Sequence, residues 1–142
     1  MASESALELQ KAIIARLNAT AEVTALFGGP VPIFDFIPEN QPMPFVAFGD
    51  HRSDEYDVTP TESSEGYGEN HRIALHVWSD YEGKEECIKI TGAMRRALRD
   101  QPLPLTDHNC AIIRCDSADH GQDADGQAFH GVLILRAITE EI

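Results

Sequence analysis

The sequence is poor in positive charge. Eleven lysines and arginines stand against 24 aspartates and glutamates among 142 residues, a formal net charge of −13. Such a chain has little with which to neutralise phosphates, so affinity for a nucleic-acid backbone is disfavoured as a main activity. The charge keeps a protein soluble in any case. Long apolar runs are also missing. Stretches such as Val132–Leu135 are far too short to span a bilayer. The opening Met1-Ala2-Ser3-Glu4-Ser5-Ala6 lacks the basic start and apolar stretch of a signal peptide, so no membrane or export address is expected. Cysteine is sparse, with Cys87, Cys110 and Cys115 only. An odd number without a spaced framework points to reduced thiols in a cytosolic compartment. Cys110 and Cys115 lie five apart on a predicted strand and so face opposite ways, which excludes a shared metal. All three read as small core or edge residues.

The usual catalytic signatures are missing as well. There is no Gly-x-Ser-x-Gly elbow, phosphate-binding glycine loop or His-Glu-x-x-His pair. The stretch Asp119-His120-Gly121-Gln122-Asp123-Ala124-Asp125-Gly126 holds the Asp-x-Asp-Gly core of a calcium loop. Its first ligand position would be Gly121 and its closing glutamate Val132, so the match fails at both ends. A hairpin turn on Asp125-Gly126 explains the same residues more simply. The six histidines, His51, His71, His76, His108, His120 and His130, are scattered. His71 and His76 have opposite parity on one strand. No catalytic residue, metal ligand or cofactor is assigned.

What is present is the period of an ordinary globular domain, with 42% hydrophobic and 25% charged residues. At this length one hydrophobic core is expected, and the whole of residues 1–142 is read as a single domain. Ala6, Leu9, Ile13 and Leu17 form a helical stripe, with Glu8, Lys11 and Asn18 expected to face away. Ser5 with Glu8 matches a capping box. A short helix over Ala21–Phe27 is stopped by Gly28-Gly29-Pro30. After proline-punctuated segments, Phe45–Gly49 reads as a strand that continues at most through His51. Residues 50–69 carry seven acids against one arginine, and are expected to be a long polar loop, either functional or the solvated tip of a hairpin.

Ile73, Leu75 and Val77 share one face of the clearest strand, while Arg72, Ala74, His76 and Trp78 share the other. A second long helix is expected over Tyr81–Leu98, with Ser79 and Glu82 as its capping box. Four of the eleven basic residues lie on it and a fifth, Arg99, directly follows; that could be a partner-binding patch, but a solvated face is the simpler account. Cys110–Cys115 reads as a strand, Asp116–Gln127 as an acidic loop and Phe129–Thr139 as a strand apolar on both faces, hence central or covered twice. This order predicts an α+β domain: a mostly antiparallel sheet of four or five strands, with two main helices packed on one face.

Several segments together carry a family pattern. Ala6–Ile13 runs into Val23-Thr24-Ala25-Leu26-Phe27-Gly28-Gly29, and Ile37–Val46 follows. Leu75-His76-Val77-Trp78-Ser79 then enters a helix ending Met94-Arg95-Arg96-Ala97-Leu98, and the chain closes with His130–Glu140. In that succession the chain resembles the tail completion or tail terminator (tail-to-head joining) proteins of long-tailed phages, prophages and gene transfer agents. The resemblance covers nearly the whole chain and carries over no catalytic residue. It implies a structural protein of the virion or phage-like particle, assembled in the bacterial cytoplasm and sited at the neck. There it would form a homo-oligomeric ring, a hexamer, on the tail tube protein, end tube polymerisation and meet the head connector or stopper protein. DNA would pass through without specific binding. The 54–69 loop, through Asp54, Glu55, Tyr56, Asp57, Glu62, Glu65 and Tyr67, is placed at the tube or neighbouring-subunit interface. Trp78 and the segment bearing Phe45 and Phe48 are secondary candidates. The competing reading is a small ligand-binding or enzymatic α+β domain, which would need a deep pocket of converging histidines and carboxylates.

Overall fold

The strand alternation read from Ile73, Leu75 and Val77 organises the molecule. In the computed structural model, which describes residues 3–57, 59, 60 and 66–142, these three are at most 1% exposed. The elements are α1 (Ser5–Asn18), α2 (Ala21–Phe27), β1 (Ile33–Phe34), β2 (Phe45–Asp57), β3 (Tyr67–Ser79), α3 (Glu85–Leu98), β4 (His108–Gln122) and β5 (Phe129–Glu141). Five strands form one sheet in the order β1-β2-β3-β5-β4. Only the short β1–β2 pairing is parallel, as expected of an α+β sheet.

β5 lies between β3 and β4, in keeping with its apolar sequence. Its inward residues Leu133, Leu135 and Ala137 are fully buried, and they join Ile73, Leu75, Val77 and Val46 in the core. The same cluster contains Leu9, Ile13 and Leu17 of α1 and Cys87, Ile90, Met94 and Leu98 of α3. Each such side chain removed from water contributes about 1.5–3 kcal/mol. The other face of β5, with Val132, Ile134 and Ile138, is only half-buried. Cys87 and Cys110 are buried and Cys115 half-buried, all as free thiols. Burial pushes the Cys87 and Cys115 thiols up to about 11.

The structure departs from the sequence reading where composition misleads. Within the expected loop over residues 54–69, the stretches 54–57 and 67–69 are strand, while 58 and 61–65 lie outside the described residues. β2 runs on to Asp57 and β3 begins at Tyr67, with Asp54↔Asn70, Glu55↔Glu69 and Asp57↔Tyr67 in register. Likewise β4 extends well past Cys115 to Gln122, so the expected 116–127 loop shrinks to a turn. There Gly126 has φ 73° and the Gly126 amide donates to the Asp123 carbonyl at 2.9 Å. Asp, Ser and Gly are poor strand formers, but a long paired neighbour supplies hydrogen-bond partners that override propensity. Both long edges carry register shifts, between Phe48 and His51 in β2 and at Ala111 and Asp116 in β4.

Neither expected capping box forms. α3 begins at Glu85 rather than Tyr81, behind Gly83 at φ 109°. Ser79 instead accepts from the Tyr81 amide and donates to Glu86. At α1, Ser5 makes no cap bond, and Glu8, expected to face solvent, is 9% exposed and turned inward. Arg16 of α1 donates to the Ala97 carbonyl at the end of α3, and Arg96 of α3 pairs with Glu22 of α2. These bonds tie the helices to one another.

Candidate assembly surfaces

Two long strands are free along most of one side. β1 pairs with only Val46 and Ala47 of β2, so among the described residues the ladder groups of residues 48–57 that point away from β3 have no strand beside them. β4 is the other outer strand. Such edges are templates for contact with another chain unless they are bent or charged. β2 is charged: its residues Asp50–Asp57 are all exposed.

The candidate interface residues fall into separate groups. Asp54, Glu55, Tyr56 and Asp57 lie exposed at the outer end of β2, beside Tyr67, which is 53% exposed. Glu62 and Glu65 lie outside the described residues. Trp78 is at the other end of the same hairpin, opposite Phe45. Eleven residues of strand, about 36 Å at 3.3 Å per residue, separate it from Tyr67. Phe45 is only 7% exposed, which leaves little for a partner to grip. Phe48 has the opposite parity and packs against the core.

At the Trp78 end, three rings stack. The Trp78 and His130 rings lie 4.0 Å apart at 7°, and His130 stacks on His76 at 4.8 Å and 11°. His76 Nδ1 and His130 Nε2 are 2.6 Å apart. Burial and then the neighbouring His76 lower the His130 pKa. Gly49 makes room for this group, because a Cβ there would collide with the His76 ring.

At the opposite end, polar groups that the sequence did not single out are wired together under α1. His71 is fully buried. Its Nδ1 lies 2.9 Å from His51 Nε2, and its Nε2 lies 3.2 Å from Ser5 Oγ and 3.0 Å from Thr139 Oγ1. Ser5 Oγ donates to Glu69 at 2.9 Å. The network assigns the proton of His71 to Nε2, shared between the two hydroxyls, with Nδ1 accepting from His51. A serine that gives its proton to a carboxylate and is 1% exposed is not an activated nucleophile. Burial lowers the His71 pKa to about 4; Glu69 opposes the shift, while His51 and His108 add to it.

Glu8 completes this layer. Its carboxylate accepts from the Thr106 and Asp107 amides and pairs with His108 Nδ1. Burial alone would raise the Glu8 pKa; the bonds from the Asp107 amide and His108 outweigh it and hold the carboxyl low. The signal was present in the sequence, since Ser5, Glu8 and Leu9 share one helical face, but it also fitted a capping box.

Among the described residues no group of three or more His, Cys, Asp or Glu side chains could hold a metal, and no helix is long and apolar enough to cross a membrane. The groove lined by Asp35, Phe48, His51 and Ile73 has a volume of about 180 Å³, and its histidine is already bonded to His71. Fold and surfaces thus define an α+β domain with long exposed strand edges and a largely exposed sheet face.

The chain belongs to the tail completion protein gp17 family, whose model matches residues 11–140. It is 29% identical over 98 residues to tail completion protein gp17 of Bacillus phage SPP1, covering 69% of each chain. Its fold matches a chain from the virion of a native gene transfer agent (GTA) particle with a TM-score of 0.81, over 98% of this chain and 99% of that one. At 21% identity that likeness speaks for the fold. The family makes this chain a structural protein of the phage-tail kind.

Proposed function

We propose that the protein forms a ring, a hexamer, at the head-proximal end of a tail tube, where it ends tube polymerisation and joins tail to head. The observation that carries this reading is the tail completion family match over residues 11–140, on a sheet whose long strands β2 and β4 have, among the described residues, no strand beside most of one side. Subunits that meet head to tail through different surfaces close into rings when the rotation is right. Two unlike edges and two unlike faces of one sheet supply such surfaces. The partners are further copies of the chain, the tube protein below and a head connector or stopper protein above. The net charge of −13 suits a lumen through which DNA passes without being held.

The test is genetic and visual. Particles lacking the protein should carry overlong or headless tails by electron microscopy, and restoring the chain should return tails of normal length joined to heads. Normal tails in its absence would contradict the proposal. The ligand-binding or enzymatic alternative needs a deep, converging pocket, and no observation on the described residues favours it.

A further inference from the structure

The sheet face turned away from the core carries a row of four arginines. Arg52 of β2 is in register with Arg72 of β3, Arg72 with Arg136 of β5, and Arg136 with Arg114 of β4. All four are exposed, and three strand spacings make the row about 14 Å long. Like charges placed directly opposite on neighbouring strands are destabilising, so the isolated fold gains nothing from this arrangement. Exposed pairs join Arg52 to Asp54 at 3.1 Å and Arg136 to Asp116 at 3.2 Å. Among the described residues Arg72 and Arg114 have no ion pair. A chain with only eleven basic residues thus spends four of them in one line.

The same sheet carries the opposite anomaly at its outer end. Glu55 is in register with Glu69, again like charge against like, and Asp57 lies one step further along the same side. These acids have the opposite parity to Arg52 and Arg72, so the pleat sends them to the other face. They cannot reach the arginine row within one copy. Two self-repelling clusters of opposite sign, on different faces of one chain, are complementary between copies.

We propose that the arginine row of one copy receives the acidic outer end of β2, Glu55 and Asp57 with Glu69 beside them, from the next copy around the ring. This rests on the ring reading above and names its contact. Arginine suits the role, because its planar fork binds carboxylates in a bidentate manner and it is enriched at protein interfaces. The flanks of the row also favour a protein occupant over a phosphate backbone. Ala74 and Ile134 lie on one side with Ser117, and Ile138 and Ile112 on the other with Asn70 and Asp54; the apolar members pack against protein, and Asp54 repels phosphate. Because donor and acceptor surfaces differ, the contact is head to tail, as a closed ring requires.

The test uses two full-length double variants, Arg72→Glu/Arg114→Glu and Glu55→Lys/Asp57→Lys. Each is compared with wild type by mass photometry, free and on purified tail tubes. Either variant alone should assemble at least about tenfold more weakly than wild type, the loss of about 1.4 kcal/mol of contact. An equimolar mixture should reassemble, because alternating copies restore every contact in an even-numbered ring. Both variants should melt no lower than wild type, which separates lost contact from lost fold. Rings of the arginine variant equal to wild type would overturn the contact and leave the ring reading standing. So would intact rings that lose only retention of a duplex DNA probe, which would assign the row to phosphates. A mixture that fails to reassemble overturns the pairing with Glu55 and Asp57. Wild type that assembles neither free nor on tubes overturns the ring reading itself.

Discussion

The two faces of the sheet follow different rules. The core face is uniform: Ile73, Leu75 and Val77 face Leu135, Leu133 and Gly131 across β3 and β5, and every apolar side chain among them is essentially fully buried. The other face is banded. It runs from a Trp–His–His stack at one end, through half-buried Val132 and Ile134, to the arginine row, and beyond it to Asp54 and Glu140. The first pattern is what a fold needs in order to exclude water. The second includes like charges in register, which folding alone would not select. The difference separates what holds the domain together from what it presents to others.

Four measurements would break or sharpen that contrast. The largest effect is expected on the core face. Leu133→Ala should cost about 2–5 kcal/mol in urea unfolding, while its neighbour Ile134→Ala on the banded face should cost less than about 1.5 kcal/mol. Equal costs would mean that both faces are core.

Acid comes second. The unfolded chain protonates its histidines near 6.5, but the folded chain protonates His71 only at about 4. Between those values the unfolded state binds more protons, so stability present above pH 6.5 drains as the pH falls towards 4. The loss should reach about 3 kcal/mol at the usual 1.4 kcal/mol per pKa unit. Urea titrations at pH 7 and 4.5 should show it in wild type and show it much reduced in His71→Asn. Glu8, whose pKa is held low, adds a further loss only as the pH falls below its ordinary value of 4.5.

Third, Glu8→Gln keeps the shape but removes the charge that accepts from the Thr106 and Asp107 amides. It should cost about 1.5–3 kcal/mol by chemical denaturation. The smallest effect is the most telling. Arg72→Ala should raise the stability of the unassembled protein by about 0.2–1 kcal/mol, through relief of repulsion across the strands. A loss of similar size would mean that the row stabilises the fold after all.

The core face was legible in the sequence because a strand buried on one side prints its period of two, as 71–78 does, because 129–139 is apolar throughout as a central strand is, and because α3 prints its stripe through Cys87, Ile90, Met94 and Leu98. The outer halves of β2 and β4 were not legible. Their Asp, Ser and Gly content reads as loop, and only pairing with β3 and β5 makes them strand. The arginine row was hidden for a related reason. Residues 52, 72, 114 and 136 share no spacing, and their alignment depends on the register across four strands, including a shift in β2 and two in β4. Ser5 and Glu8 were misassigned because a capping box and an inward polar pair use the same two positions.

The claim at the centre is that the banded face is a contact surface between copies at the end of a tail. A cryo-electron microscopy reconstruction of the protein seated on a tail tests it most directly. The account predicts a closed ring in which the Arg72 and Arg114 guanidiniums lie within about 4 Å of carboxylates from the neighbouring copy, the reach of an ion pair. A ring with both arginines facing solvent or the DNA channel would contradict it.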